Sequence, residues 1–109
     1  MALYVVTMRG LDGSNGDRKY PVEALGAFAA MMTVQKLAPN APNEWFSVVG
    51  PIVSCTHDEW DCMTEDVERW FGECCDYAYG NDNVSDAEWD EILDIEDRTT
   101  RALCNVSTF

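Results

Sequence analysis

Lysine disappears from this chain after Lys36. From residue 55 onward only Arg69, Arg98 and Arg101 oppose sixteen carboxylates. Residues 1–54 hold four acids and four bases, so the whole formal charge of −13 resides in the second half of the 109 residues. Uniform adaptation to high salt would spread the acids over both halves. A surface this negative repels nucleic acid and anionic lipid and steers toward basic surfaces. Direct binding of nucleic acid or membrane is therefore not expected.

Long apolar runs are also missing. None reaches the roughly 18 residues that a membrane span requires. The first eight residues lack a basic n-region and a cleavage site, so no signal peptide is read there and a cytoplasmic location is expected. The five cysteines, Cys55, Cys62, Cys74, Cys75 and Cys104, are odd in number and form no C-x-x-C pair. Free thiols in a reducing compartment, behaving as small hydrophobes, are the expectation. For zinc, Cys55, His57 and Cys62 are the residues to consider. Structural zinc sites pair their cysteines in C-x2–4-C knuckles, and none occurs here, so no metal and no cofactor is expected.

Catalytic signatures are equally scarce. His57 is the only histidine, and nothing marks which cysteine would serve beside it as a nucleophile. Acid pairs such as Glu65 and Glu68 on one helix do not flank a bond, as glycoside chemistry requires of opposed carboxylates. Gly10, Gly13 and Gly16 lack the G-x-G-x-x-G spacing and a Walker lysine. The chain reads as a non-enzyme.

What is present is a core and an acidic shell. Four Trp, four Tyr and four Phe, with 47% hydrophobic residues, suit one globular domain. Residues 2–8 (ALYVVTM) are apolar on both faces and predict a central buried strand. Residues 9–19, with their glycines, Asp and Asn, predict a loop. Pro21 fits a first helical position, so a helix is expected over 22–37. Leu25, Phe28, Ala29 and Met32 would make one face of it, and Ala24, Ala27, Met31 and Val34 another. A helix so nearly encircled by apolar residues needs cover on more than one side, from a core, a second copy or a partner.

Residues 38–43 (APNAPN) break that helix. Residues 44–55 predict a strand region that Gly50 and Pro51 interrupt with a bulge, an edge position or a split in two. Thr56-x-x-Glu59 matches a capping box. Trp60, Met63, Val67, Trp70, Cys74 and Tyr77 then recur every three or four residues, predicting one long amphipathic helix over 57–79. Thr64 offers a possible break in it. Gly72 weakens its interior by about 1 kcal/mol and leaves room for close packing.

Gly80 fits a left-handed stop. Ser85-x-x-Glu88 opens a last helix over 86–98, with Trp89, Ile92, Leu93 and Glu96 on its inner line. Residues 101–109 alternate like a third strand. The fold class expected is α+β: a small sheet of about three strands with helices packed on one face.

The carboxylates are the sharpest signal. Residues 86–97 place seven in twelve residues, or one per roughly 2.6 Å of helix axis, against one phosphate per about 1.7 Å of duplex DNA. Ordinary helices mix signs, because like charges three or four residues apart destabilise by a few tenths of a kcal/mol each. A positive ligand would offset that repulsion. The partner-binding residues expected on the first acidic helix are Asp58, Glu59, Asp61, Glu65, Asp66, Glu68, Glu73 and Asp76. On the second they are Asp86, Asp90, Glu91, Asp94 and Asp97.

In size, charge and helix surface the chain resembles the small acidic inhibitors that phages make against host nucleic-acid machinery, such as anti-CRISPR and anti-restriction proteins. That resemblance covers no motif. It implies a viral protein in the host cytoplasm that blocks the basic nucleic-acid groove of a host complex, as a DNA mimic or a steric plug. The alternative is a structural or assembly protein that oligomerises, as a homodimer for example, through the apolar first helix, with the acids serving solubility.

Overall fold

A computed structural model describes residues 2–8, 18–37, 43–80 and 84–109. The expected α+β architecture is what the chain adopts. β1 (Ala2–Met8) lies at the centre of an antiparallel sheet between β2 (Arg18–Ala24) and β3 (Phe46–Val49). α1 (Ala27–Leu37), α2 (His57–Gly80) and α3 (Asp86–Cys104) pack around β2. A short parallel ladder joins β4 (Ser54–Cys55) to β5 (Ser107–Thr108). Of the loop expected over 9–19, residues 9–17 lie outside the described residues, while Arg18 and Lys19 already belong to β2. Residues 38–42 of the helix break expected over 38–43 and residues 81–83 of the α2–α3 turn also lie outside them, and Asn43 opens a 3-10 turn.

Two expectations give way to tertiary pairing. The segment predicted as the start of the first helix is a strand. Arg18–Ala24 pairs with β1 over seven residues, placing Tyr20 and Val22 beside Val6 and Tyr4 in the core. Pro21 is tolerated there because β2 is an edge strand and a proline in it removes no ladder bond on the outer side. The helix begins only at Ala27. Residues 101–109 do not form a third sheet strand. α3 continues to Cys104, because Thr99 and Leu103 extend the buried line begun by Ile92 and Ile95. Leu93, expected inside, is 51% exposed.

The local signals hold better. Glu59 N donates to Thr56 Oγ1 at 3.1 Å, and Thr56 N donates to Glu59 Oε1 at 3.2 Å, closing the capping box of α2. Ser85 caps α3 by accepting from Glu88 N at 3.2 Å. α2 runs unbroken through Thr64, whose hydroxyl donates back to Trp60 O. Met63, Val67, Trp70, Phe71 and Cys74 are buried along the predicted seam; the side chain of Tyr77 lies outside the description. Gly80 ends α2 without a positive φ.

Gly50 does take a left-handed φ of 145°, and there the sheet region splits into β3 and β4. A Cβ at that position would lie 2.7 Å from Tyr4 Cδ1, so only glycine fits.

Among the described residues no fourth strand covers the outer edge of β2. Side chains from α2 and α3 serve its polar groups instead. Arg69 donates to Lys19 O, Trp70 Nε1 donates to Pro21 O at 3.1 Å, and Glu23 N donates to Thr99 Oγ1 at 3.1 Å. The three strand residues alternate, as the groups on one edge of a strand must. Trp70, fully buried, also meets Tyr20 edge-on at 5.7 Å.

Replacing Trp70 by Phe or Thr99 by Val keeps most of the packing and strips one buried edge partner. Each substitution should lower unfolding free energy by about 1–3 kcal/mol, the cost of an unsatisfied buried backbone group. Urea titration followed by Trp fluorescence for T99V, and by far-UV circular dichroism for W70F, measures the loss.

Candidate protein-docking surface

α2 and α3 form an antiparallel hairpin. Trp60 at the start of α2 donates its indole N–H to Leu103 O at the end of α3, at 3.0 Å. The seam of α2 faces inward, so the residues on its opposite side face solvent. Asp58, Asp61, Glu65, Glu68 and Asp76 follow one another there at helical spacing, and all are exposed. They span about 27 Å of helix axis at 1.5 Å per residue. Gly72 sits among them. It is exposed and nothing approaches its Cβ position within 4 Å, so it serves no packing within the chain.

The thirteen carboxylates expected to bind a partner do not behave alike. Five are taken up by bases. Asp66 pairs with Arg69 at 3.4 Å, Glu73 with Arg18 at 3.5 Å and Glu91 with Lys36 at 2.7 Å. Asp94 pairs with Arg98 at 3.1 Å and Asp97 with Arg101 at 3.1 Å. Glu59 is engaged in the capping box. The rest have no ion pair among the described residues: Asp58, Asp61, Glu65, Glu68 and Asp76 on α2, and Asp86 and Asp90 on α3. Three of the seven carboxylates in the densest acidic run, on α3, are thus paired, whereas the row Asp58, Asp61, Glu65 and Glu68 on α2 has no ion pair among the described residues.

Arg98 has a second carboxylate within reach. Glu23, only 7% exposed, lies with its carboxylate 3.6 Å from Arg98 Nε, so one guanidinium sits between Glu23 on β2 and Asp94 on α3. Glu23 gave no sign of burial in the sequence, because only its place on β2 puts it inside.

A groove opens beside the acidic ridge. Val5 and Thr7 of β1 and Val49 of β3 form its floor, and the first half of α2 forms one wall. Its volume is about 380 Å³. Asp58, Glu59, Cys62, Met63 and Asp66 line the α2 wall, and Lys19 of β2 stands across from them. Burial pushes the Asp66 carboxyl above its ordinary pKa, although Arg69 and Lys19 pull it down. Nothing in the spacing of the sequence marks the floor of this groove, which exists only once β1 and β3 pair.

A third feature is apolar. Leu25, just before α1, is 81% exposed, and Phe28 and Met32 on one side of α1 are 71% and 45% exposed. This is one of the two apolar faces for which cover was expected. Ala30 and Val34 carry the packing of α1 instead, because the helix starts later and turns its small residues to the sheet.

All five cysteines are free thiols. Among the described residues no three His, Cys, Asp or Glu side chains gather to hold a metal ion. Cys55 is buried, whereas His57 and Cys62 are exposed, so the three residues considered for zinc do not converge. Cys62 lies off the seam, on the groove side of α2. Burial, reinforced by Cys75 and Glu73, pushes the Cys74 thiol up to about 12. Burial likewise raises Cys75, with Glu96 and Asp76 adding to it. Among the described residues no helix is long and apolar enough to cross a membrane.

Thiol chemistry should follow this division. Brief treatment of the native protein with iodoacetamide at neutral pH should modify Cys62 and Cys104, which are exposed, and spare Cys55 and Cys74 until urea unfolds the chain. Peptide mass spectrometry reads the pattern directly. Comparison of the chain with protein-family models, with curated proteins and with solved structures finds no match.

Proposed function

We propose that this chain is a docking protein whose α2 ridge seats on the basic, nucleic-acid-binding groove of another protein or complex, and blocks it without catalysis. The observation that carries this reading is the run Asp58, Asp61, Glu65 and Glu68. These four carboxylates lie on one face, exposed, with no base among the described residues paired to any of them. Like charges so placed repel one another, and a cationic partner relieves that repulsion. The four occur about once per 5 Å of helix axis, sparser than the 3.4 Å repeat of phosphates along one DNA strand. That spacing favours electrostatic and steric blockade over a residue-for-residue copy of a phosphate backbone. A phage inhibitor of the anti-CRISPR or anti-restriction kind, acting in the host cytoplasm, is the biological setting this chemistry fits.

The test compares two charge-neutralised variants in a pull-down at about 50 mM salt, where exposed charges are least screened. Changing Asp58 and Asp61 to Asn, and Glu65 and Glu68 to Gln, should cut recovery of a nucleic-acid-binding partner at least about tenfold, a loss of about 1.4 kcal/mol. Neutralising Glu91, Asp94 and Asp97, which already have internal partners, should cost much less. Duplex DNA should compete with the wild-type interaction. Equal recovery of wild type and ridge variant removes the reading.

The exposed stripe of Leu25, Phe28 and Met32 favours a second reading, assembly through α1. Apolar association resists salt, whereas ionic docking does not. Under this reading, sedimentation at about 0.5 M salt shows a dimer that Phe28→Ser dissociates. A monomer at every concentration up to about 100 μM disposes of it.

A further inference from the structure

The groove beside α2 is apolar at its base and acidic along one wall, and this combination limits what can occupy it. The floor comes from Val5 and Val49, which face each other in the β1–β3 register, and from Ile52. Met63 is the apolar part of the wall. A purely apolar ligand would be placed against Asp58 and Asp66 and would strip water from both carboxylates without replacing it. An anion meets three carboxylates, with Lys19 the one base lining the groove among the described residues. A bare metal ion finds no converging ligands among the described residues. A side chain with a long apolar stem and a cationic head satisfies floor and wall together.

Between the two side chains of that kind, arginine fits better. Its guanidinium is planar, is more weakly hydrated than an ammonium, and presents parallel N–H donors to carboxylate oxygens. Asp66 is partly withdrawn from water, and Arg69 already stands 3.4 Å from its Oδ1, so the incoming group takes Oδ2, where a weakly hydrated cation is cheaper to desolvate. The cavity of about 380 Å³ lies at the lower end of the usual range for ligand sites. It holds the side chain together with the backbone that carries it. Asp58 belongs to the ridge and to the groove rim, so one basic segment can touch both.

We propose that the groove between the β1–β3 floor and the first half of α2 is an arginine-anchor site, which gives the acidic ridge its specificity. The arginine stem lies on Val5, Val49, Ile52 and Met63, and its guanidinium reaches Asp58 and Asp66. This inference rests on the docking reading of the ridge and names the chemistry that the ridge's partner brings.

The probes are nona-arginine and nona-lysine peptides, titrated into the full isotope-labelled chain at about 50 mM salt and followed by amide chemical shifts. Nona-arginine should shift Val5, Thr7, Val49 and Ile52 together with the ridge residues, and bind at least about fivefold more tightly than nona-lysine. Val49→Trp fills the groove from a position that is 60% exposed and leaves every carboxylate in place. Cys62→Trp fills it from the opposite wall, also from an exposed position. Either variant, shown to be folded by its amide spectrum, should lower the nona-arginine affinity to the level of nona-lysine.

Shifts confined to the ridge, or unchanged nona-arginine affinity in both filled variants, overturn the anchor site while leaving the ridge reading intact. Equal affinity and equal groove shifts for the two peptides overturn the preference for arginine. Absence of any shift along the ridge with either peptide overturns both the anchor and the docking reading beneath it.

Discussion

The outer edge of β2 is the constraint from which the rest of the structure follows. A sheet of three strands has two open edges, and an open edge is a row of backbone groups that must find partners or face water. On β2 the groups of Lys19, Pro21 and Glu23 are served by Arg69, Trp70 and Thr99. Two of those side chains come from α2 and one from α3, so the edge fixes the rotation of both helices about their axes. Once Trp70 must point at Pro21, the residues half a turn away must point outward. Those are Asp61, Glu65 and Glu68. The ridge faces solvent because the edge turns it there. The neutral half supplies the strand, the acidic half supplies the caps, and their buried residues form one cluster.

How far the sequence could be read depends on the range of the forces involved. Caps act over three residues, and the full box at Thr56 and the side-chain cap at Ser85 are found where the spacing placed them. The seam of α2 is periodic over several turns and was equally legible. Pro21 misleads because the same fixed φ serves a helix start and an edge strand, and only pairing with Val5 decides between them. The end of α3 misleads because residues 101–109 contain β-branched residues, while Leu103 is held helical by its place under Trp60. The buried face of α1 was not legible for a related reason. A helix with apolar residues nearly all round does not reveal which side the sheet will choose, and small Ala30 and Val34 allow the closer approach.

The candidate site divides in the same way. The i,i+4 pairs of Asp94 with Arg98 and Asp97 with Arg101 are local and stand open in the sequence. The pairs of Arg18 with Glu73 and Lys36 with Glu91 join residues 55 positions apart and appear only in the fold. Charge density along the chain therefore points to α3, whereas the longest row of carboxylates at helical spacing without an ion pair among the described residues, Asp58 to Glu68, lies on α2; Asp86, Glu88, Asp90 and Glu96 of α3 stand unpaired as well. The groove was invisible for a stronger reason: its floor and wall come from strands and a helix whose side chains share no periodicity.

Placement of the few bases gives the acidic surface its shape. Arg18, Lys36, Arg69, Arg98 and Arg101 each stand within 4 Å of a carboxylate, at the junctions between helices and sheet or along α3. Exposed pairs of this kind contribute about 0–1 kcal/mol each, so they do not hold the fold together. Their consequence is spatial. Every base placed at a junction is one absent from the first half of α2, where carboxylates about 5 Å apart along the axis lie well inside a Debye length of about 8 Å at physiological salt. Mutual repulsion there is only partly screened, and no base among the described residues pairs with these carboxylates to relieve it. The same edge bonds that turn the ridge outward prevent α2 from rotating to dilute that repulsion. A surface held in this state binds a cation without first reorganising, because its side of the interface is already ordered.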